Sequence, residues 1–303
     1  MLSTIGCGLL VLAYLARFDE VLSGAARHVA VHGIPGGLAA TTLQNFIEFM
    51  DQSVFEGAGF GAGDFPLLLQ IGAFLGYVLS LFRFAPESLK KCRSALAYMW
   101  VSALVTAGGI HLFKGLIARP RPYDVLKGSV AFHPWFEVYT AKMFAFGRGS
   151  FPSGHTASVM TLWSAVMVFR WRFPKRRFGL WLLAMLCFLA SFAMAFARVA
   201  HGDHWPTDTL GSIGFTLAVC TLVAPMMLGT GAFSEPSTQQ DQVVDRPTDV
   251  LLWWTALWLV LGAFYLAVKL TLVGNPLLGT AAFFVSFGGG YGVSVARTRS
   301  TRT

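Results

Sequence analysis

Residues 178–197 read FGLWLLAMLCFLASFAMAFA, twenty positions from Phe178 to Ala197 without one charged side chain. Coiled as a helix at about 1.5 Å per residue, this run covers roughly 30 Å, the depth of a bilayer's hydrocarbon core. Charge marks both of its ends. Arg170, Arg172, Lys175, Arg176 and Arg177 crowd the amino-terminal side, and Arg198 closes the other. Further apolar blocks lie at about 1–16, 66–82, 94–113, 155–170, 208–229, 250–270 and 276–295. They predict an all-α, polytopic membrane bundle of about eight transmembrane helices: six spans over 1–229, a linker at 230–249, and two further helices with a basic tail over 250–303. The first block lacks the positive flank of a secretion signal and is expected to stay as an anchor.

Composition points the same way. Only 13% of the 303 residues are charged and 55% are apolar, whereas soluble domains carry about 25% charged residues. Disorder, collagen and small disulfide scaffolds are excluded on the same numbers. Cys7, Cys92, Cys187 and Cys220 are far apart and form no metal-ligand or disulfide pattern. The net charge of +8 invites a nucleic-acid partner, but the basic residues sort by loop instead. Arg83, Lys90, Lys91 and Arg93 lie between spans two and three, the five basic residues before Phe178 between spans four and five, and Arg297, Arg299 and Arg302 in the tail. With eight spans all three clusters share one side, which the positive-inside rule makes cytoplasmic. Both termini are then cytoplasmic, and loops 17–65 and 114–154 face the other side of the cell (inner) membrane. No nucleic-acid partner is expected. In loop 17–65, Leu43, Phe46, Ile47, Phe49 and Met50 recur at helical spacing, and the segment reads as short interfacial helices or as a plain connector.

Some ionisable residues are not explained by topology. Lys114 and Arg121 follow the third span, His155 opens the fourth, Arg198 ends the fifth, and His204 and Asp208 flank the start of the sixth. All fall at the same membrane face. Lys114, Arg121 and Arg198 supply three cations, two of them planar forks suited to phosphate oxygens. Ser153 and Gly154 precede a helix whose first N–H groups make an anion nest. His204 and Asp208, four apart, lie close to one helix face, so the carboxylate can accept from one imidazole nitrogen and leave the other to attack. His155 can protonate a leaving oxygen. The rival reading is a metal held by His201, Asp203, His204 and Asp208. Fixed cations nearby disfavour it, since they repel a divalent ion and already do its electrostatic work. A transporter or channel is the alternative of another class, but no paired half-helices or inverted repeat are visible.

These residues resemble the three-part signature of the type 2 phosphatidic acid phosphatase superfamily. Lys, six residues, then Arg-Pro is matched by Lys114 to Arg121-Pro122. Pro-Ser-Gly-His is matched by Pro152 to His155. Arg, five residues, His, three residues, Asp is matched by Arg198, His204 and Asp208, with Ala197 standing where the family usually has Ser. The resemblance implies metal-independent dephosphorylation of a lipid phosphate or diphosphate, with no cofactor. His204 would be the nucleophile that forms a phosphohistidine, Asp208 its orienting partner and His155 the acid and then the base. Lys114, Arg121, Arg198, Ser153 and Gly154 would hold phosphate. Polyprenyl diphosphate, phosphatidylglycerol phosphate, phosphatidic acid and lipid A phosphate are all candidate substrates, and transfer to a lipid hydroxyl would use the same residues. Arg119, Lys142 and Arg148 match no motif and are candidate headgroup contacts or solvated interfacial charges. Neither oligomeric state nor a role for 250–295 follows from the sequence.

Overall fold

The computed structural model describes residues 2–33, 40–52, 61–137 and 149–228. All regular structure among them is helical. Helix α1 (Leu2–Leu15) passes through a 3-10 turn (Ala16–Phe18) into α2 (Asp19–His32), followed by α3 (Ala40–Asp51) and α4 (Asp64–Ser80). The short α5 (Glu87–Lys91) leads to the long α6 (Arg93–Ile117) and the one-turn α7 (Pro122–Leu126). Then come α8 (Gly154–Met160), α9 (Trp163–Arg172), α10 (Arg177–His201) and α11 (Pro206–Leu228). The chain divides into two units, Met1–Pro236 and Ser237–Thr303. The second unit, with the apolar blocks at 250–270 and 276–295, lies outside the described residues.

Each of the six apolar blocks between 1 and 229 is helical. Among the described residues, three helical segments, Arg93–Leu126, Arg177–His201 and Pro206–Leu228, are long and apolar enough to cross a membrane, while Asp64–Ser80 is apolar but shorter. Two faces of α10 show what such sequences solve. Phe178, Trp181, Met185, Leu189 and Phe192 form an exposed stripe, Phe178 at 83% and Trp181 at 74%. Ala184, Cys187, Ser191, Met194 and Ala195 are buried on the other face. Large apolar side chains facing outward would drive aggregation in water but suit a lipid surround, and small residues facing inward let helices approach closely. The block at 155–170 is not one straight helix. At Thr161 the hydroxyl donates to the Ser158 carbonyl (2.6 Å), and the ladder tightens to i→i−3 bonds, as in Ser164 N–H to the Thr161 carbonyl (2.9 Å).

α11 sits at the centre, packed against α6, α8, α9 and α10. Tyr98 of α6 donates to the Cys220 carbonyl of α11 (2.8 Å), giving its buried hydroxyl a partner. The helical spacing in loop 17–65 marks a packed face instead of an interfacial one. Leu43, Ile47 and Met50 of α3 are buried with Val159, Met194, Ala197 and Ala200, while Phe46 and Phe49 point outward. In this way α2 and α3 cover α10 at the end where the ionisable residues gather.

Candidate active site

The carboxyl ends of α6 and α10 and the amino ends of α8 and α11 meet, joined by backbone contacts. α6 stops at Ala118, whose left-handed conformation (φ 50°) returns its N–H to the Lys114 carbonyl. Ser150 N–H donates to the Arg119 carbonyl (2.8 Å), and Ser153 N–H to the Asp208 carbonyl (3.2 Å). Beside Ser150 the chain runs so close to α6 that a Cβ on Gly149 would lie 2.6 Å from the Lys114 carbonyl oxygen. α10 is capped by Gly202 at φ 91°, a conformation that costs glycine little. The reversal there delivers His204 just before Pro206, the first residue of α11.

His204 is almost wholly buried. Its Nδ1 is 2.7 Å from the Ser150 carbonyl oxygen and 3.7 Å from Asp208 Oδ2. A carbonyl only accepts, so Nδ1 carries the proton and Nε2 holds the lone pair. The hydrogen bond that the spacing suggested for Asp208 is thus made by a backbone carbonyl 54 residues away in sequence. Burial, and then the charges of Lys114, Arg198 and Arg121, hold the imidazole well below its ordinary pKa, with Asp203 pulling the other way. The charges of Lys114 and Arg198 act on His155 as well, so both histidines share one cationic field. His155 packs under Gly63, where a Cβ would stand 3.1 Å from its ring. Ser153 caps α8 from an extended backbone conformation, its hydroxyl taken up by Thr156 (3.0 Å). A Cβ on Gly154 would come 3.7 Å from Lys114 Nζ.

Two of the three cations hold internal carboxylates. Arg121 Nη1 donates to Asp203 Oδ1 (3.1 Å), Arg198 Nη2 lies 3.2 Å from Asp203 Oδ2, and Arg198 Nη1 is paired with Asp51 of α3. Arg198 Nε is buried without a hydrogen-bond partner among the described residues. Although burial opposes its charge, the His201 contact and the Arg198 and Arg121 guanidinium groups hold the Asp203 carboxyl far below the usual carboxylate range. Asp51, His201 and Asp203 bring ligand-type atoms within 4.8 Å of one another, but Arg198 sits on both carboxylates, and a divalent ion would have to displace it. His204 and Asp208, in the four-residue metal set considered from sequence, are turned to other partners.

Arg119 requires a correction. It is neither a headgroup contact nor a solvated charge, being fully buried. Nη1 donates to Asp208 Oδ1 (2.6 Å) and Thr207 Oγ1 (3.0 Å), Nη2 to Asp19 Oδ2 (2.7 Å), and Nε to the His133 carbonyl (2.8 Å). The rings of Phe132 and Trp205, in edge contact with each other at 4.9 Å, each lie 5.4 Å from its guanidinium carbon, within cation–π range. Asp208 Oδ2 accepts from Trp205 N–H (2.9 Å), capping α11, and Asp19 accepts from Thr207 N–H (2.9 Å). Burial raises the Asp19 carboxyl above its usual pKa, against the lowering pull of Arg119 and Thr207. Asp19, Asp51, Ser150 and Thr207 were not singled out from sequence. The one available signal was acid in a chain poor in charge, at the ends of apolar runs. Lys142 and Arg148 lie outside the described residues.

A helical bundle with lipid-suited faces and two histidines in one cationic field at its helix ends suits a membrane protein that handles an anionic group such as phosphate. Residues 94–231 match the family model of the PAP2 superfamily, which is consistent with a type 2 phosphatidic acid phosphatase superfamily member. Its members are phosphatases acting on phosphorylated substrates. Neither the curated proteins nor the solved structures gave a match. The matched segment contains all three motifs; Asp19 and Asp51 come from outside it.

Proposed function

We propose that the protein is a metal-independent phosphatase of a lipid phosphate or diphosphate, acting through a phosphohistidine on His204 at the non-cytoplasmic face. The observation that carries this reading is the His204 imidazole, with Nδ1–H fixed on the Ser150 carbonyl and an unprotonated Nε2 in the field of Lys114, Arg121 and Arg198. A buried neutral imidazole is a ready nucleophile, and fixed cations draw in the phosphate and stabilise the charge on its oxygens. In the first step Nε2 bonds to phosphorus, the bond from phosphorus to the lipid oxygen breaks, and His155, protonated once the bound phosphate dianion offsets the surrounding cations, gives that oxygen a proton. In the second step His155 takes a proton from water, the water oxygen bonds to phosphorus, and the phosphorus–nitrogen bond breaks to release inorganic phosphate. Arg121, Arg198, Lys114 and the Ser153-Gly154 turn hold the phosphate oxygens. The exposed apolar stripes keep the substrate's tails in lipid while its headgroup enters.

Purified protein in detergent micelles, with EDTA present, is expected to release phosphate from at least one of phosphatidic acid, phosphatidylglycerol phosphate, polyprenyl diphosphate and lipid A phosphate. His204→Ala should abolish release with the fold retained by circular dichroism. Loss of activity with chelator, or substantial turnover by His204→Ala, overturns the mechanism.

A further inference from the structure

We propose that Arg119 and Asp19 are positioning residues for phosphoryl transfer, acting through Asp208. This rests on the phosphatase reading above and adds to it two residues that match none of the three motifs, one of them outside the matched segment.

Asp208 does not orient the imidazole by a direct hydrogen bond, because the Ser150 carbonyl already takes the Nδ1 proton. A neutral carbonyl fixes the ring but offers little to a full positive charge. When Nε2 bonds to phosphorus with Nδ1 still protonated, the ring becomes cationic. The nearest carboxylate oxygen described for it is Asp208 Oδ2, 3.7 Å from Nδ1, within ion-pair reach. The role of Asp208 is therefore electrostatic and depends on where that oxygen sits. Arg119 sets this position, since its fork holds the other oxygen, Oδ1, at 2.6 Å and thereby turns Oδ2 toward Trp205 N–H and His204. Arg119 cannot swing away, because Asp19, Thr207 and the His133 carbonyl hold three more of its donors and the Phe132 and Trp205 rings pack beside it. Asp19 also accepts from Thr207 N–H, which ties the start of α2 to the start of α11. The other charged groups that act on His204 are the Lys114, Arg121 and Arg198 cations and Asp203.

The test is a double-mutant cycle on phosphate release, using whichever of phosphatidic acid, phosphatidylglycerol phosphate or polyprenyl diphosphate the wild type hydrolyses fastest. Arg119→Lys keeps the charge and loses the fork. It is expected to lower kcat roughly 10- to 100-fold, the usual loss when an outer supporting partner is altered, while KM moves less than about threefold. In an Asp208→Asn background the same change should cost less than about threefold, because residues acting as a unit are not additive. Asp19→Asn, close in shape to the native residue, should lower kcat in the same background-dependent way and guards against an Arg119 variant that fails to fold. Equal losses in both backgrounds, losses confined to KM, or losses matching the unfolded fraction overturn the inference while leaving the phosphatase reading intact. A wild type that releases no phosphate overturns both.

Discussion

His204 is a base whose environment works against its protonation. Its imidazole is buried and faces three cations, so it stays neutral well into acid, and kcat/KM should fall only as pH drops through that depressed pKa. The sign of each neighbour's effect then predicts the direction in which the acid limb moves. Lys114→Met removes a lowering charge, so the limb should move to higher pH. Asp203→Asn removes a charge that opposes these cations at His204, so the limb should move to lower pH. Both are read from pH profiles of kcat/KM, and movement of the two variants in the same direction would contradict the assignment of the limb to His204. Asp203 also occupies the two arginine forks proposed to hold phosphate. Carboxylate and phosphate compete for the same donors there, so the internal anion keeps the cations in place before substrate arrives.

At the scale of elements, the site depends on how closely a loop can approach a helix end. The segment before α8 carries Ser150, whose carbonyl sets the His204 tautomer, and it runs against the last turn of α6. Gly149→Ala would place a Cβ 2.6 Å from the Lys114 carbonyl oxygen and 3.3 Å from Ala118 Cα. Both are backbone atoms that cannot rotate aside. The expected cost is about 1–3 kcal/mol of stability, with kcat falling further than the folded fraction because Ser150 moves with its neighbour. Gly214 of α11 is the control, since its Cβ would meet nothing within 4 Å, and Gly214→Ala should be neutral or stabilising by up to about 1 kcal/mol. Thermal unfolding in detergent and kcat together check the pair. α3 was legible as a helix from the spacing of Leu43, Ile47 and Met50. That it packs on α10 and brings Asp51 to Arg198 was not legible, because a helical apolar stripe has the same sequence whether protein or lipid covers it.

For the whole molecule, charge sorting predicts sidedness. Thirteen of the 23 basic residues fall in the loops and tail assigned to the cytoplasm, while Lys114, Arg121 and Arg198 gather at the other face. A cysteine or epitope tag at either terminus should be reachable only from the cytoplasm, and one inserted near Lys127 only from outside, as read by impermeant labelling of intact cells and inverted vesicles. The reverse pattern would move the site to the cytoplasmic side and exclude substrate presented from the outer leaflet.

The uncharged twenty residues from Phe178 to Ala197 were enough to fix the class of protein, because backbone left unsatisfied in hydrocarbon forces a helix and length alone decides whether it can span. Periodicity and charge also placed Lys114, Arg121, His155, Arg198, His204 and Asp208 at helix ends, since short connections leave few ways to join such helices. Only the tertiary structure decided which groups touch. Ser150 stands in for Asp208 as the hydrogen-bond partner of His204, Arg119 turns inward to Asp208 and Asp19, and Asp51 and Asp203 hold the arginine forks. All of these contacts except that of Arg198 with Asp203 join residues distant in sequence. A buried charge must find a counter-charge wherever packing supplies one, and spacing along the chain does not encode that.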